Sequence, residues 1–283
     1  MAVVLIVRHG LTASTGKALT GWLPGISLDD RGQAQAAAVA ARLSELPLAA
    51  VVSSPLDRCV QTATAIASGQ ADPMQVLIDD RLGECKYGDW TGQSLRKLAR
   101  DPLWRVVQAH PSAVTFPGPD GESMSGMQQR AVSAVRDWNE KLGKDALYVV
   151  CSHGDVIKAI LADALGMHLD LSQRIQVDPC SLSVIRYTTL RPFVLRMNDT
   201  GADATALAGL ARRPGSGPKA DADAQIGGGA GIADDGQPPG TLPAASTLPA
   251  AGSLPVAGSL AVDLADGCQL AARPRAGSLG AAG

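Results

Sequence analysis

Two histidines in this sequence each stand just after an apolar run and just before a glycine. His9 follows Val3-Val4-Leu5-Ile6-Val7 and Arg8, and His153 follows the run Leu147 to Cys151 and Ser152. A continuous β-branched and aliphatic run is the pattern of a strand covered on both faces in a parallel sheet. Both histidines are therefore expected at the carboxyl edge of such a sheet, where open α/β folds bind their ligands. His153 leads into Gly154 at the start of a helix, whose free N–H groups and positive dipole end favour an anion. Arg58 is placed on the first turn of a helix after a third strand end, Ser53-Ser54-Pro55, and Arg8 adjoins His9. Two imidazoles, two guanidiniums and a helix start converging at one edge suit a phosphate. Permanent positive charge beside His9 also disfavours its protonation.

The elements that position these groups follow from periodicity and punctuation. Val3 to Val7 reads as the first and central strand. Asp29 is the expected N-cap of a helix to about Glu45. A short strand from Ala49 to Ser53 precedes a helix from about Leu56 to Ala67, and Gln75 to Ile78 is a third strand. Arg81 to Gln93 reads as a polar, Gly-bearing loop. One helical region is expected from Ser94 to about Gln108, before Pro111. From Ser123 onward, Met124, Met127, Ala131, Ala134, Val135, Trp138 and Leu142 recur at spacings of three and four, the signature of an amphipathic helix. Val156, Ile157, Ile160, Leu161, Ala164 and Leu165 form a wide apolar helical face that Gly166 closes. Ser181 to Tyr187 and Pro192 to Arg196 are expected as last strands at a sheet edge. Strand and helix alternate, so the fold class is α/β, a three-layer α/β/α sandwich with a mostly parallel central sheet and helices on both faces.

Five blocks occur in order along the chain: LIVRHG (Leu5 to Gly10), SSPLDRCVQTA (Ser53 to Ala63), GECKYGDWTG (Gly83 to Gly92), PDGES (Pro119 to Ser123) and SHGDV (Ser152 to Val156). In that order and spacing the sequence resembles the histidine phosphatase, or phosphoglycerate mutase-like, superfamily. The resemblance implies His9 as a phosphate-accepting nucleophile, Arg8, Arg58 and His153 as a phosphate clamp, and Glu84 as the proton donor, with Gly154 adding a backbone N–H. Asp89 is the alternative acid. Thr12, Thr15, Thr20, Gly21 and Tyr87 are the further groups expected at the substrate, and Trp22, Trp90 and Trp104 are expected near an open rim. The implied activity is metal-independent hydrolysis of small-molecule phosphate monoesters through a phosphohistidine, with no cofactor. The alternatives are phosphoglycerate mutase-type phosphoryl transfer and a catalytically idle phospholigand-binding protein. Thr15 stands where many members carry Asn, Asp155 is not the commonest residue after the His-Gly pair, and no paired arginines of a mutase substrate loop appear between Gly92 and Ser123.

Bulk properties narrow the remaining classes. The net charge is -2 and basic residues are scattered among acidic ones, which gives no electrostatic footprint for nucleic acid. Five cysteines without a CxxC pair fit a reducing compartment and no metal cluster. No apolar run approaches the ~20 residues of a membrane span, and Val3 to Val7 is too short for a signal-peptide core. A soluble cytoplasmic enzyme is expected, either a monomer or a homo-oligomer. Cys85 is expected to be structural, with an exposed thiol there the route to oxidation sensitivity. His110 and His168 are expected at the surface and Met124 and Met127 in the core. Residues 1–198 are the expected folded domain. Residues 199–283 lack aromatic side chains, and TLPAAS, TLPAAG, SLPVAG and SLAVDL recur there with a period of six beside glycine runs. Such a composition predicts a low-complexity, disordered tail that catalysis does not need.

Overall fold

In the computed structural model, residues 2–201 and 226–228 are described, and all of them belong to one unit within Met1–Asp235. β1 (Ala2–Arg8) lies centrally in a six-stranded mixed sheet. β2 (Ala50–Ser53), β3 (Val76–Ile78) and β4 (Leu147–Ser152) run parallel with it, β5 (Leu182–Tyr187) pairs with β1 antiparallel, and β6 (Pro192–Asp199) pairs antiparallel with β5. The strand order is β3-β2-β4-β1-β5-β6. The expected α/β architecture is the one observed, with the two last strands at one edge.

Side chains alternate across β1, and the two faces fill two separate cores. Leu5 and Val7 pack with Val51, Val149 and Cys151 against Ala36, Val39, Ala40 and Leu43 of α1 (Asp30–Leu43) and Cys59, Ala63 and Ile66 of α2 (Asp57–Ser68). Val4 and Ile6 pack on the other face with Val52, Tyr148 and Val150. There they meet Ala131, Val135 and Trp138 of α5 (Met124–Leu142) and Ile157, Ile160 and Leu161 of α6 (Gly154–Ala164). Met124 and Met127 are core residues, as their spacing predicts.

Local signals set the helix ends. Asp29 caps α1 by accepting from the Gly32 N–H at 2.8 Å, and Ser123 caps α5 by accepting from Gly126 at 3.0 Å. Gly166 leaves α6 with φ +66, a left-handed exit that glycine allows. The region expected as one helix from Ser94 to Gln108 is two: α3 (Leu95–Leu98) and α4 (Pro102–Ala109). Pro102 occupies the first turn of α4, where its missing N–H costs nothing, and Asp101 caps it. β6 continues to Asp199, one residue past the expected domain boundary. Ile226–Gly228 forms a short 3-10 turn whose Ile226 joins the α5/α6 core, although it lies in the stretch expected to stand apart as a tail. The rest of that stretch, including the six-residue repeats, lies outside the described residues.

Candidate active site

Register brings the two histidines together. β1 pairs with β4 so that Arg8 lies opposite Ser152, and His9 N–H donates to the Ser152 carbonyl at 3.0 Å. The rings of His9 and His153 then meet edge to face, 5.2 Å between centroids. The loop after β1 is pressed onto α1 without side chains between them: a Cβ on Gly10 would lie 2.5 Å from the Gly32 carbonyl oxygen, and one on Gly32 would lie 2.0 Å from that of Leu11. Gly10 N–H also donates to Thr62 Oγ1 on α2 at 3.1 Å.

This packing fixes the chemistry of His9. Its Nδ1 is 2.7 Å from the Gly10 carbonyl oxygen, which can only accept, so Nδ1 carries the proton and Nε2 holds the lone pair. Burial first, then the Arg58 and Arg8 guanidiniums, hold the imidazole well below its ordinary pKa. His9 is thus neutral at physiological pH, with its free ring nitrogen defined by a backbone contact.

Arg8, His9, Thr12, Thr15, Thr20, Gly21, Arg58, Glu84 and Tyr87 line one cavity at the carboxyl edge. Arg58 is buried and donates through Nη2 to Gly21 O at 2.9 Å and to His153 Nδ1 at 3.2 Å. Its Nη1 has no hydrogen-bond partner among the described residues. A buried guanidinium N–H without an acceptor is costly, and an anion in the cavity would satisfy it. Arg8 is buried as well, with Nη1 donating to Val177 O at 2.8 Å.

His153 stands behind this wall. It is fully buried, its Nδ1 accepts from Arg58, and its Nε2 therefore carries the hydrogen donated to Ser54 Oγ at 2.8 Å. Burial and the neighbouring Arg58 keep the ring neutral. In this arrangement it orients Arg58 and does not present a donor to the cavity, and neither His153 nor Gly154 is part of the lining. Thr15 is used locally: its Oγ1 accepts from the Thr12 N–H at 3.0 Å and lies 2.9 Å from Thr12 Oγ1. The hydroxyl that replaces the common Asn thus shapes the loop after His9.

Glu84 comes from the loop between β3 and α3. Oε1 accepts from the Cys85 N–H at 3.0 Å, and Oε2 lies 3.8 Å from His153 Nδ1. Burial, followed by the nearby Asp155 carboxylate, pushes the Glu84 pKa up to about 7, although Arg58, Cys85 N–H and Arg8 pull the other way. A carboxyl that is half protonated near neutrality can give and take a proton there. Asp89, the alternative acid, lies instead in a separate 390 Å³ pocket with Trp22, Lys86, Thr91 and Asp120. Cys85 is buried with its pKa pushed upward, which removes the expected oxidation route. Trp90 is a core residue against Phe116 and Trp104 is buried against Trp90, so only Trp22 of the three stands near the rim. His110 and His168 are at the surface, as expected.

Three residues outside the expected catalytic set hold the loop that carries Glu84. Arg130, on α5, donates to the carbonyls of Arg81, Gly83 and Glu84 at 2.7, 2.8 and 2.9 Å while its other edge pairs with Glu122. Trp22 Nε1 donates to Glu84 O as well. Glu122 Oε2 accepts from Lys86 N at 3.1 Å, so the loop is clasped on both sides of Glu84. Only the PDGES block hints at Glu122, and nothing in the spacing points to Arg130.

Known proteins resemble this chain in sequence and fold. Phosphoserine phosphatase 1 of Hydrogenobacter thermophilus is 29% identical over 208 residues, covering 71% of this chain and 93% of its own. A probable phosphoglycerate mutase of Escherichia coli O1:K1 is 29% identical over 188 residues, covering 66% of this chain and 86% of its own. The structure of mycobacterial glucosyl-3-phosphoglycerate phosphatase complexed with VO3 superposes with a TM-score of 0.61 at 25% identity, over 70% of this chain and 98% of that one. The family model described as histidine phosphatase superfamily (branch 1) matches residues 4–200. The paired histidines, the buried guanidiniums and the raised carboxyl are thus set in a chain that belongs to the histidine phosphatase superfamily.

Proposed function

We propose that the protein hydrolyses phosphate monoesters of small metabolites through a phosphohistidine at His9, without a metal ion or other cofactor. The observation that carries this reading is the 2.7 Å contact of His9 Nδ1 with Gly10 O, which leaves Nε2 as the attacking atom between two buried guanidiniums. Catalysis of phosphoryl transfer rests on positioned positive charge and on a proton for the leaving group. In the first step Nε2 bonds to phosphorus, the P–O bond to the alcohol breaks, and protonated Glu84 gives its proton to the departing oxygen. In the second, water attacks the phosphohistidine, Glu84 takes the water's proton, and the P–N bond breaks to release phosphate and free His9. Arg8 and Arg58 hold the phosphoryl oxygens throughout, and His153 keeps Arg58 aimed.

The names of the relatives place L-phosphoserine and glucosyl-3-phosphoglycerate first in a substrate panel. The test is turnover of such a substrate labelled with ³²P, quenched in alkaline detergent. An acid-labile, base-stable protein label that disappears in His9→Ala, with activity retained in EDTA, is the expected result. A stoichiometric metal requirement, or label that persists in His9→Ala, would overturn the mechanism.

A further inference from the structure

The chain returns to its own active site. Ile226 is 3% exposed and packed into the α5/α6 core, and Ile226 and Gly227 line the same cavity as Arg8, His9, Arg58 and Glu84. The Gly227 carbonyl accepts from Arg8 Nη2 at 3.3 Å, and the Gly227 N–H donates to Asp155 Oδ2 at 2.9 Å. Gly227 has φ +71, and a Cβ there would come within 3.0 Å of Leu19 Cδ1, so the turn fits closely. With the segment in place the cavity is about 30 Å³, room for about two water molecules and not for a phosphate ester.

We propose that the segment at Ile226–Gly227 is an intramolecular plug that competes with phosphate for the Arg8 side of the active site and must withdraw before substrate binds. The inference rests on the phosphatase reading of that site and adds its regulation. A backbone carbonyl offers Arg8 a partial negative charge, a weak stand-in for a phosphoryl oxygen. Asp155 supplies the complementary latch. A carboxylate beside an anion site works against a phosphate, yet Asp155 Oδ2 is the acceptor for both Gly227 N–H and Tyr87 Oη–H, at 2.9 Å each. The unusual acid after the second His-Gly pair thus has a docking use. Covalent attachment gives the segment an effective concentration on the order of millimolar, so weak contacts suffice to populate it.

The test compares the full chain, a chain ending at Gly201, and full-length Ile226→Asp, which places a charge in the apolar contact that seats the segment. The probes are orthovanadate binding by calorimetry and hydrolysis of p-nitrophenyl phosphate. Both altered chains should bind vanadate about tenfold tighter and show a KM lower by a similar factor, with kcat within about twofold of the full chain. If truncation unfolds the protein, Ile226→Asp gives the answer alone. Equal or weaker vanadate affinity in the altered chains overturns the plug while leaving hydrolysis to judge the phosphatase reading. Tighter vanadate binding without hydrolysis by any chain supports the plug and overturns the phosphatase reading. No vanadate binding by any chain overturns both.

Discussion

His9 is held by backbone: the β1/β4 register, a carbonyl on its own Nδ1, and two glycines in direct contact beneath its loop. Glu84, across the same cavity, is held by side chains from distant parts of the chain: Arg130 and Glu122 on one side, Trp22 on the other. The His9 edge is therefore as rigid as the sheet, whereas the Glu84 edge is only as rigid as a few hydrogen bonds. Phosphoryl transfer to His9 and protonation of the leaving group should accordingly fail separately when different residues are changed.

The sharpest separation is expected at the nucleophile. His9→Ala should abolish turnover, by on the order of 10⁴-fold or more, because it removes the atom that forms the covalent bond. Thermal unfolding should change little. Loss of folding in parallel with activity would mean that the ring matters for packing instead.

Next comes the acid. Glu84→Gln should lower kcat for alkyl phosphates by about 10²–10⁴-fold and for p-nitrophenyl phosphate much less, since nitrophenolate leaves without help. Wild-type kcat/KM for an alkyl phosphate should fall as pH rises through about 7, where Glu84 loses its proton, and Glu84→Gln should lack that limb. Equal losses on both substrates would shift the role of Glu84 from proton donor to loop support.

A smaller loss tests the clasp. Arg130→Lys leaves one ammonium in place of a planar fork that reaches three carbonyls and a carboxylate. It should destabilise the fold by roughly 1–3 kcal/mol and slow alkyl phosphate hydrolysis by about tenfold, with p-nitrophenyl phosphate almost spared. A uniform loss on both substrates would show that the clasp supports the whole cavity and not the Glu84 edge alone.

The last effect is on stability. The folded-state pKa of Glu84 is raised, so its contribution is present below the unfolded value of 4.5 and is lost as pH rises through about 7. Glu84→Gln should therefore be more stable than wild type at pH 8, by on the order of 2–3 kcal/mol, and show no such gain near pH 4.5 in urea titrations. His9 and His153 act in the opposite sense: their depressed values stabilise the fold above pH 6.5, and that stability is lost as pH falls below it. A wild-type stability that stayed flat between pH 7 and pH 5 would show that these opposing contributions cancel.

The same contrast explains what could be read from the residues alone. Strand runs, capping Asp29 and Ser123, and the His-Gly pairs are local patterns, and they place β1, β4, α1, α5 and both histidines correctly. Arg130 and Trp22 act on residues about fifty positions away or more, and no periodicity reports such a contact. His153 was legible as a site residue but not as one that faces Arg58, because a tautomer depends on what surrounds the ring. The division between α3 and α4 is written in Asp101-Pro102, a cap followed by a first-turn proline. Trp90 and Trp104 misled because sequence proximity to the Glu84 block does not distinguish rim from core. Asp155 was noticed as unusual, yet its partner lies at Gly227, beyond the last strand.

The direct contact of Gly10 with Gly32 has a consequence for any library built on this protein. Positions such as Gly25 and Gly166 have positive φ but face open space, so asparagine, the side chain that best tolerates that conformation, should survive selection there. At Gly32 a single methyl would collide with the peptide of Leu11, and the helix would have to retreat from the loop that presents His9. Saturation at position 32 should return glycine alone, and at position 10 almost nothing else, making this pair the point where drift is least permitted and where recombination between distant relatives must keep both partners together.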